Sequence, residues 1–389
     1  PTIQAGLQEY IPSLYKGWIA VVGVRDDGTE FGPHLARAGA ARMWTISANG
    51  YCELSGCSEY GSSFAAPRVT AAAAKVKEKF PWMTGHELKQ TLLTTAKDLG
   101  DPGVDGIFGW GLLDEQKALK GPAQFNSELL VGKSGVNAGL KGQFNANITN
   151  NLTSIFENDI DGEGGLKKSG NGKLILTGNN SYQGSTDIEE GTLEIYGENG
   201  SNIDIEQNGT LVTYPTTMIG KKNRNGTFTP ISVQNSGGTF ENRGSGAVIT
   251  GNYTATNGSV TKAEIGTKLT VKGAVNLNGG NTLRQTMSGY ITAKPLSSTV
   301  IEAEKGINGT FDKVETPELI NGSATVEGNK VVSTVSRKNV EDYVSTLSLS
   351  DTMRNNAAQN LETSFKELDS QIENGNTENV KSFSKSAAL

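Results

Sequence analysis

The sequence predicts a multi-domain chain: a partial α/β region, then an all-β parallel β-helix (a solenoid), then an α-helical tail. Three observations carry this reading. Residues 1–125 alternate short apolar runs with strong helix formers. In residues 126–336, short β-type segments recur between Gly and Asn, and three of them begin 19 and then 18 residues apart. Residues 337–389 drop that repeat and take up helical spacing.

In the first region, "GWIAVVGV" (17–24) is a continuous apolar run, as expected of a strand buried on both faces. "RMWTISANG" (42–50) reads as a second strand ending in a turn. "FAAPRVTAAAAKVKEKF" (64–80) is rich in helix formers, and Lys75, Lys77 and Lys79 suit the negative end of the helix dipole. "TGHELKQTLLTTA" (84–96) opens with Thr84 and carries Glu87 three residues on, the pattern of a capping box. "GWGLLDEQKAL" (109–119) adds a turn and a short helix. Helices packed on a parallel sheet follow, in a domain that looks incomplete.

In the second region, "GKLILTG" (172–178), "GTLEIYG" (191–197) and "GTLVTY" (209–214) set the period. One such coil cannot bury its own apolar face, so stacked coils must share a core. A β-sandwich of regular hairpins is the alternative. In the third region Val340, Tyr343, Val344 and Leu347, then Leu361, Phe365, Leu368 and Ile372, are spaced for one or two amphipathic helices that need a surface to sit against.

Composition excludes several function classes. The 35 basic and 41 acidic residues form no basic block or stripe, so nucleic acid is not expected as a partner. No run of 18 apolar residues is present, so no spanning helix is expected. Residues 1–15 lack the charged start and apolar centre of a signal peptide, and the chain begins without Met. Residue 1 is therefore not expected to be the start of the gene product. Cys52 and Cys57 either close a small disulfide in an oxidising compartment or remain free thiols. With no second Cys/His cluster they do not make a metal site. Asp98, Asp101 and Asp105 lie in a Gly-rich loop that would suit calcium, but the spacing is not that of an EF-hand. No metal and no cofactor is assigned.

The chemistry concentrates in "GSSFAAP" (61–67). A serine nucleophile needs an exposed hydroxyl, a base and oxyanion donors, and a helix N-terminus supplies free N–H groups and a favourable dipole. Gly61 permits a sharp entry, Ala65 and Ala66 allow close packing, and Pro67 is expected in the first helical turn, where its missing N–H costs little.

These residues resemble the G-T-S-x-A-x-P nucleophile motif of subtilisin-like serine proteases, with Ser62 in place of the usual Thr. "KGWIAVVGV", "PWMTGHELKQTLLTTAKDLG" and "GVDGIFGWGLLDEQKAL" extend the resemblance over residues 16–120. It implies that Ser63 is the nucleophile and that its own N–H is one oxyanion donor. It also implies an Asp–His–Ser order, so both partners should precede Ser63. The only upstream histidine is His34, whose "FGPHLARAG" surroundings do not match the family, and His86 is expected to face solvent from its helix. A Ser…His order would suit an α/β-hydrolase, but that elbow needs Gly where this chain has Ala65. The catalytic Asp and His and the oxyanion Asn are therefore expected upstream of residue 1, and the 389 residues alone are expected to be inactive.

"GGLKKSGNGKLILTGNNSYQGSTDIEEGTLEIYG" (164–197) is similar to the passenger-associated repeat of autotransporters, with Leu166, Gly170, Gly172, Leu174, Leu176, Gly178, Asn180, Tyr182, Gly184, Thr186, Ile188, Gly191, Thr192 and Leu193 in place. The combined resemblance implies a subtilisin-like autotransporter protease. Its parts would be the C-terminal part of a peptidase domain (1–125), a β-helical passenger stem (126–336) and a helical linker (337–389) toward a translocator barrel that this chain does not contain. It further implies a serine endopeptidase at or secreted from the outer membrane, with protein or peptide substrates. The alternative is a catalytically degenerate β-helical adhesin or structural stem.

Overall fold

Strand β1 (Ala20–Val24) and strand β2 (Thr45–Asn49) pair in parallel, Ala20 with Thr45 through Val24 with Asn49. Both bury nearly every residue: β1 as its apolar run requires, and β2 with its Thr45 and Ser47 hydroxyls donating to the Ala41 and Phe108 carbonyls. In this computed structural model the described residues are 6–30, 36–131, 142–256, 258–347 and 352–375. They form two compact units, Pro1–Asp204 with Met218–Gly226, and Ile205–Thr217 with Thr227–Leu389.

In the first unit a single turn, α1 (Leu7–Tyr10), precedes the strands, and helix α2 (Ser62–Lys79) packs on the sheet through Ala65, Val69, Ala72 and Val76. Helix α3 (Gly85–Thr94) has the expected capping box. The Thr84 hydroxyl accepts from the His86 N–H, and the Thr84 N–H donates to Glu87 at 2.9 Å. The segment 109–113 runs along β2: Trp110 N donates to the Thr45 carbonyl, and Ser47 exchanges hydrogen bonds with Gly111 and Leu113. Gly111 takes φ +104° there, and a Cβ would overlap the Lys97 carbonyl, so only glycine fits. Helix α4 (Glu115–Ala118), capped by Asp114, and helix α5 (Ser127–Val131) follow.

The first coils of the stem belong to the same unit. Strands β3 (Gln143–Asn147) and β4 (Thr153–Phe156) pair in parallel with β5 (Gly165–Ser169) and β6 (Lys173–Leu176). The long β7 (Thr186–Ile195) then serves both, Leu166 matching Thr186 and Lys173 matching Thr192. Each coil thus advances by about one repeat of 20 residues, and Leu166, Leu174, Leu176, Ile188, Leu193 and Ile195 are all fully buried. Phe125, Phe144, Phe156, Phe80 and Trp82 form one aromatic cluster where α2 and its following loop meet β3 and β4. Phe125 stacks on Phe144 at 5.1 Å and Phe80 meets Phe156 edge-on at 5.6 Å. Trp82 Nε1–H donates to Ser154 Oγ at 2.7 Å, so the half-buried indole has its donor paired.

The second unit continues the coil logic in three parallel ladders. One joins Thr210, Thr239, Val260, Thr282 and Lys313. Another joins Val233, Tyr253, Val275 and Ile307, and the third joins Val248, Thr270 and Glu302. The last coil is longer, Val275 pairing with Ile307, because an insertion carrying Tyr290 and Ile291 leaves the ladder. The regular coils end in an antiparallel hairpin, Ile320–Glu327 with Lys330–Arg337, whose second strand also pairs with Leu296–Glu302.

Two helices come last among the described residues: α6 (Val340–Thr346), capped by Asn339, and α7 (Thr352–Glu373). Their contact surface is the inserted segment and the last strand. Val340, Ala358 and Phe365 are buried, and the partly buried Tyr290, Val344 and Leu368 pack against them. Arg337, 3% exposed, forms salt bridges to Glu362 at 2.7 Å and Asp369 at 2.9 Å and lies over the Phe365 ring. The Glu362 carboxyl is held below its ordinary range: burial pushes it up, but the hydrogen bonds from Arg337 and the Val340 N–H outweigh that.

Candidate active site

Ser63 is the second residue of α2 and is exposed. Being in the first turn, its N–H and that of Ser62 have no partner within the helix, and they lie at the positive end of an 18-residue dipole. Among the described residues no side chain hydrogen-bonds the Ser63 hydroxyl. The Ser63 hydroxyl is therefore accessible beside free N–H donors.

Three features hold it there. From beneath, β1 presses on the turn. A Cβ on Gly23 would lie 2.9 Å from the Gly61 carbonyl carbon and from the Ser62 nitrogen, so Gly23 is what lets the strand come this close. Ahead of it, residues 50–61 form a hairpin. Gly61 N donates to the Gly50 carbonyl at 2.8 Å, Tyr51 bridges Tyr60, and Cys52 N donates to the Glu59 carbonyl at 3.0 Å. Cys52 and Cys57 are joined by a disulfide with their Cα atoms 5.8 Å apart, which settles the choice the spacing left open. From the helix itself, Arg68 Nη2 donates to the Tyr51 carbonyl at 3.2 Å and pairs with Glu53 at 2.7 Å.

Two positional expectations change. Pro67 is the sixth residue of α2, in its second turn, because the helix starts at Ser62. It has no N–H to offer the Ser63 carbonyl four residues earlier, which leaves that carbonyl outside the helical ladder. His86 is half-buried, not solvent-facing. Its Nε2–H donates to the Leu129 carbonyl at 2.8 Å and its ring meets Tyr15 edge-on at 5.7 Å. Burial holds its pKa below the ordinary histidine value. His34 lies outside the described residues.

The acidic loop is used for its own backbone. Asp105 accepts from the N–H groups of Asp101, Ile107 and Phe108, and Asp98 accepts from Gly103. A cleft of about 410 Å³ lies over the ends of β1 and β2, lined by Arg25, Asp26, Asn49, Arg68, Leu113 and Glu115. Its polar groups are partnered: Asn49 donates to Asp26 within the cleft, Arg25 donates to Tyr51, and Arg68 and Glu115 pair with Glu53 and Lys75. Sequence reasoning missed Gly23 and Arg68. The lone glycine inside the "VVGV" run signals a close backbone approach, whereas nothing local marks Arg68.

Known proteins resemble this chain over both its α/β region and its coils. Residues 1–111 match the Subtilase family model, and residues 166–195 match the Passenger-associated-transport-repeat model. The chain is 34% identical over 350 residues to the Neisserial autotransporter lipoprotein NalP of Neisseria meningitidis serogroup B, covering 81% of this chain and 31% of that protein. It is 36% identical over 192 residues to an extracellular serine protease of Serratia marcescens, covering 44% and 18%. It is 31% identical over 230 residues to the serotype-specific antigen 1 of Mannheimia haemolytica, covering 54% and 23%. The chain spans less than a third of the length of each of these relatives. No helix among the described residues is long and apolar enough to cross a membrane, which says nothing of a barrel. The chain carries a subtilase-family α/β region joined to an autotransporter passenger stem of parallel β coils.

Proposed function

We propose that this chain is part of a serine endopeptidase in which Ser63 is the acylating nucleophile, carried by an autotransporter at the cell surface or released from it. The observation that carries the reading is an exposed serine at the start of an 18-residue helix, with a strand, a cross-linked hairpin and Arg68 all fixing the turn that presents it. A turn that only capped a helix would not need this bracing.

In the proposed mechanism the Ser63 Oγ attacks the scissile carbonyl and its N–H donates to the oxyanion as charge develops there. A histidine takes the serine proton and returns it to the leaving amine, and an aspartate orients that histidine. His86 does not suit that role, since its Nε2–H is already donated to Leu129. Residues 1–125 would be the catalytic part, 126–336 the stem, and 337–389 the linker toward a translocator barrel in the outer membrane. The Cys52–Cys57 bond supports an oxidising, extracytoplasmic setting. Substrates would be proteins or peptides.

The test is fluorophosphonate labelling of the full-length protein with and without Ser63→Ala. Labelling and casein cleavage that vanish in the variant support the reading. Proteolysis that persists in Ser63→Ala rules it out and favours a stem whose protease-like head is degenerate.

A further inference from the structure

The hairpin ahead of Ser63 is built more firmly than a connecting loop requires. Its two arms are paired at three levels: Gly50 with Gly61, Tyr51 with Tyr60 and Cys52 with Glu59. The disulfide closes it immediately beyond the last of these. The first arm is tied to the rest of the domain. Gly50 N donates to the Val24 carbonyl, Arg25 Nη1 donates to the Tyr51 hydroxyl, and Arg68 reaches the Tyr51 carbonyl. In the second arm residues 58–60 are exposed, and the arm runs directly into Gly61, Ser62 and Ser63. The pairing of the second arm with the first is short, three residues on each side.

We propose that the Cys52–Cys57 disulfide is a positioning element for the nucleophile: by closing the hairpin it holds residues 59–61 in register on residues 50–52 and so sets where Ser63 begins the helix. This deepens the protease reading and rests on it for its catalytic consequence. The physical reason is entropic. Without the cross-link, three two-arm contacts must hold an exposed loop, and the arm leading to the serine can fray as loop ends do. Fraying by an ångström at Ser63 moves the attacking oxygen off its line to the carbonyl, which costs about 100-fold in rate while leaving substrate contacts elsewhere intact. The same bond makes the site sensitive to a reducing medium.

Two measurements on the full-length protein test this, using Cys52→Ser/Cys57→Ser and the wild type with and without dithiothreitol. The first is amide exchange. Loss of the disulfide is expected to speed exchange at residues 59–63 while residues 69–79 of α2 keep their protection. The second is fluorophosphonate inactivation, in which kinact is expected to fall about 10- to 100-fold with KI unchanged, and reoxidation of the wild type is expected to restore it. Unchanged exchange at 59–63 overturns the proposal, as does an unchanged kinact in a protein that labels. A loss of exchange protection throughout the first unit overturns it too, because the bond would then be a general staple. If the oxidised wild type does not label at all, the protease reading fails, and the exchange measurement still decides whether the disulfide sets the turn.

Discussion

Gly23 lies so close to Gly61 that a Cβ on it would sit 2.9 Å from the Gly61 carbonyl carbon. The backbone of a buried strand thereby becomes the floor of the turn that presents Ser63. Gly23→Ala must push the two backbones apart, and neither can rotate away as a side chain would. The expected cost is about 1–3 kcal/mol by urea unfolding. Fluorophosphonate labelling of the full-length protein is expected to slow at least tenfold, of the order expected for a displaced nucleophile. A variant that labels at the wild-type rate would show that β1 does not set the turn.

His86 is expected to be dispensable for chemistry. Its Nε2–H is donated to Leu129, linking α3 to α5. His86→Ala should leave the labelling rate of the full-length protein within about twofold and cost about 1 kcal/mol of stability, the usual net worth of such a hydrogen bond. The isolated 389 residues should show no triad-type turnover. Robust peptide hydrolysis by them would show that a histidine of this chain serves as base.

The aromatic junction should matter more to stability than its distance from Ser63 in sequence suggests. Phe156 is fully buried and touches Phe80, Trp82 and Phe144. Phe156→Ala should cost about 3–5 kcal/mol in denaturant unfolding of the first unit. Phe156→Leu should cost clearly less, since it keeps most of the buried volume.

In the second unit, Arg337 neutralises Glu362 and Asp369 in a site that water barely reaches. Arg337→Ala leaves two buried carboxylates uncompensated and is expected to cost about 3–5 kcal/mol. Proteolytic susceptibility of α7 should rise with it. Adding Glu362→Met and Asp369→Leu to Arg337→Met removes all three charges and should restore much of the loss.

Lys89 gives a pH signature. It is 2% exposed and donates to Gln8 Oε1 at 2.7 Å and the Tyr15 carbonyl at 2.6 Å, with burial lowering its pKa to about 7. Unfolded, it titrates near 10.5. Between those values the unfolded chain binds the extra proton, so stability rises with pH across that window. Below about pH 7 both states are protonated and the full burial penalty applies. Lys89→Met should therefore help most at pH 6, and its advantage should shrink toward pH 10 at up to about 1.4 kcal/mol per pH unit. A pH-independent difference between the two proteins would show that Lys89 does not titrate on unfolding in this window.

What could be read from the chain was what neighbours in sequence decide. The Thr84–Glu87 capping box, the apolar run of β1, the coil period and the Gly-Ser-Ser entry to a helix all depend on residues within one turn or one coil of each other. The misreadings have the same origin. Pro67 was expected in the first turn because the helix start is uncertain by a residue or two from sequence, and two residues change which carbonyl loses its donor. His86 was expected in solvent because its cover, Leu129 and Tyr15, comes from 43 residues after it and from another element before it.

By itself, then, the sequence determined the kinds of element present, the order in which they come and the serine at the helix entry that we propose as nucleophile, because propensity, capping and repeat period act over a few residues. Only the tertiary structure decided how Ser63 is braced by Gly23, Arg68 and the Cys52–Cys57 hairpin, and how Arg337 gathers Glu362 and Asp369. Those arrangements bring together groups far apart along the chain or, for the two cysteines, select one of two chemical states that spacing allows equally. Their energy comes from burial and close approach, which exist only once the chain has folded.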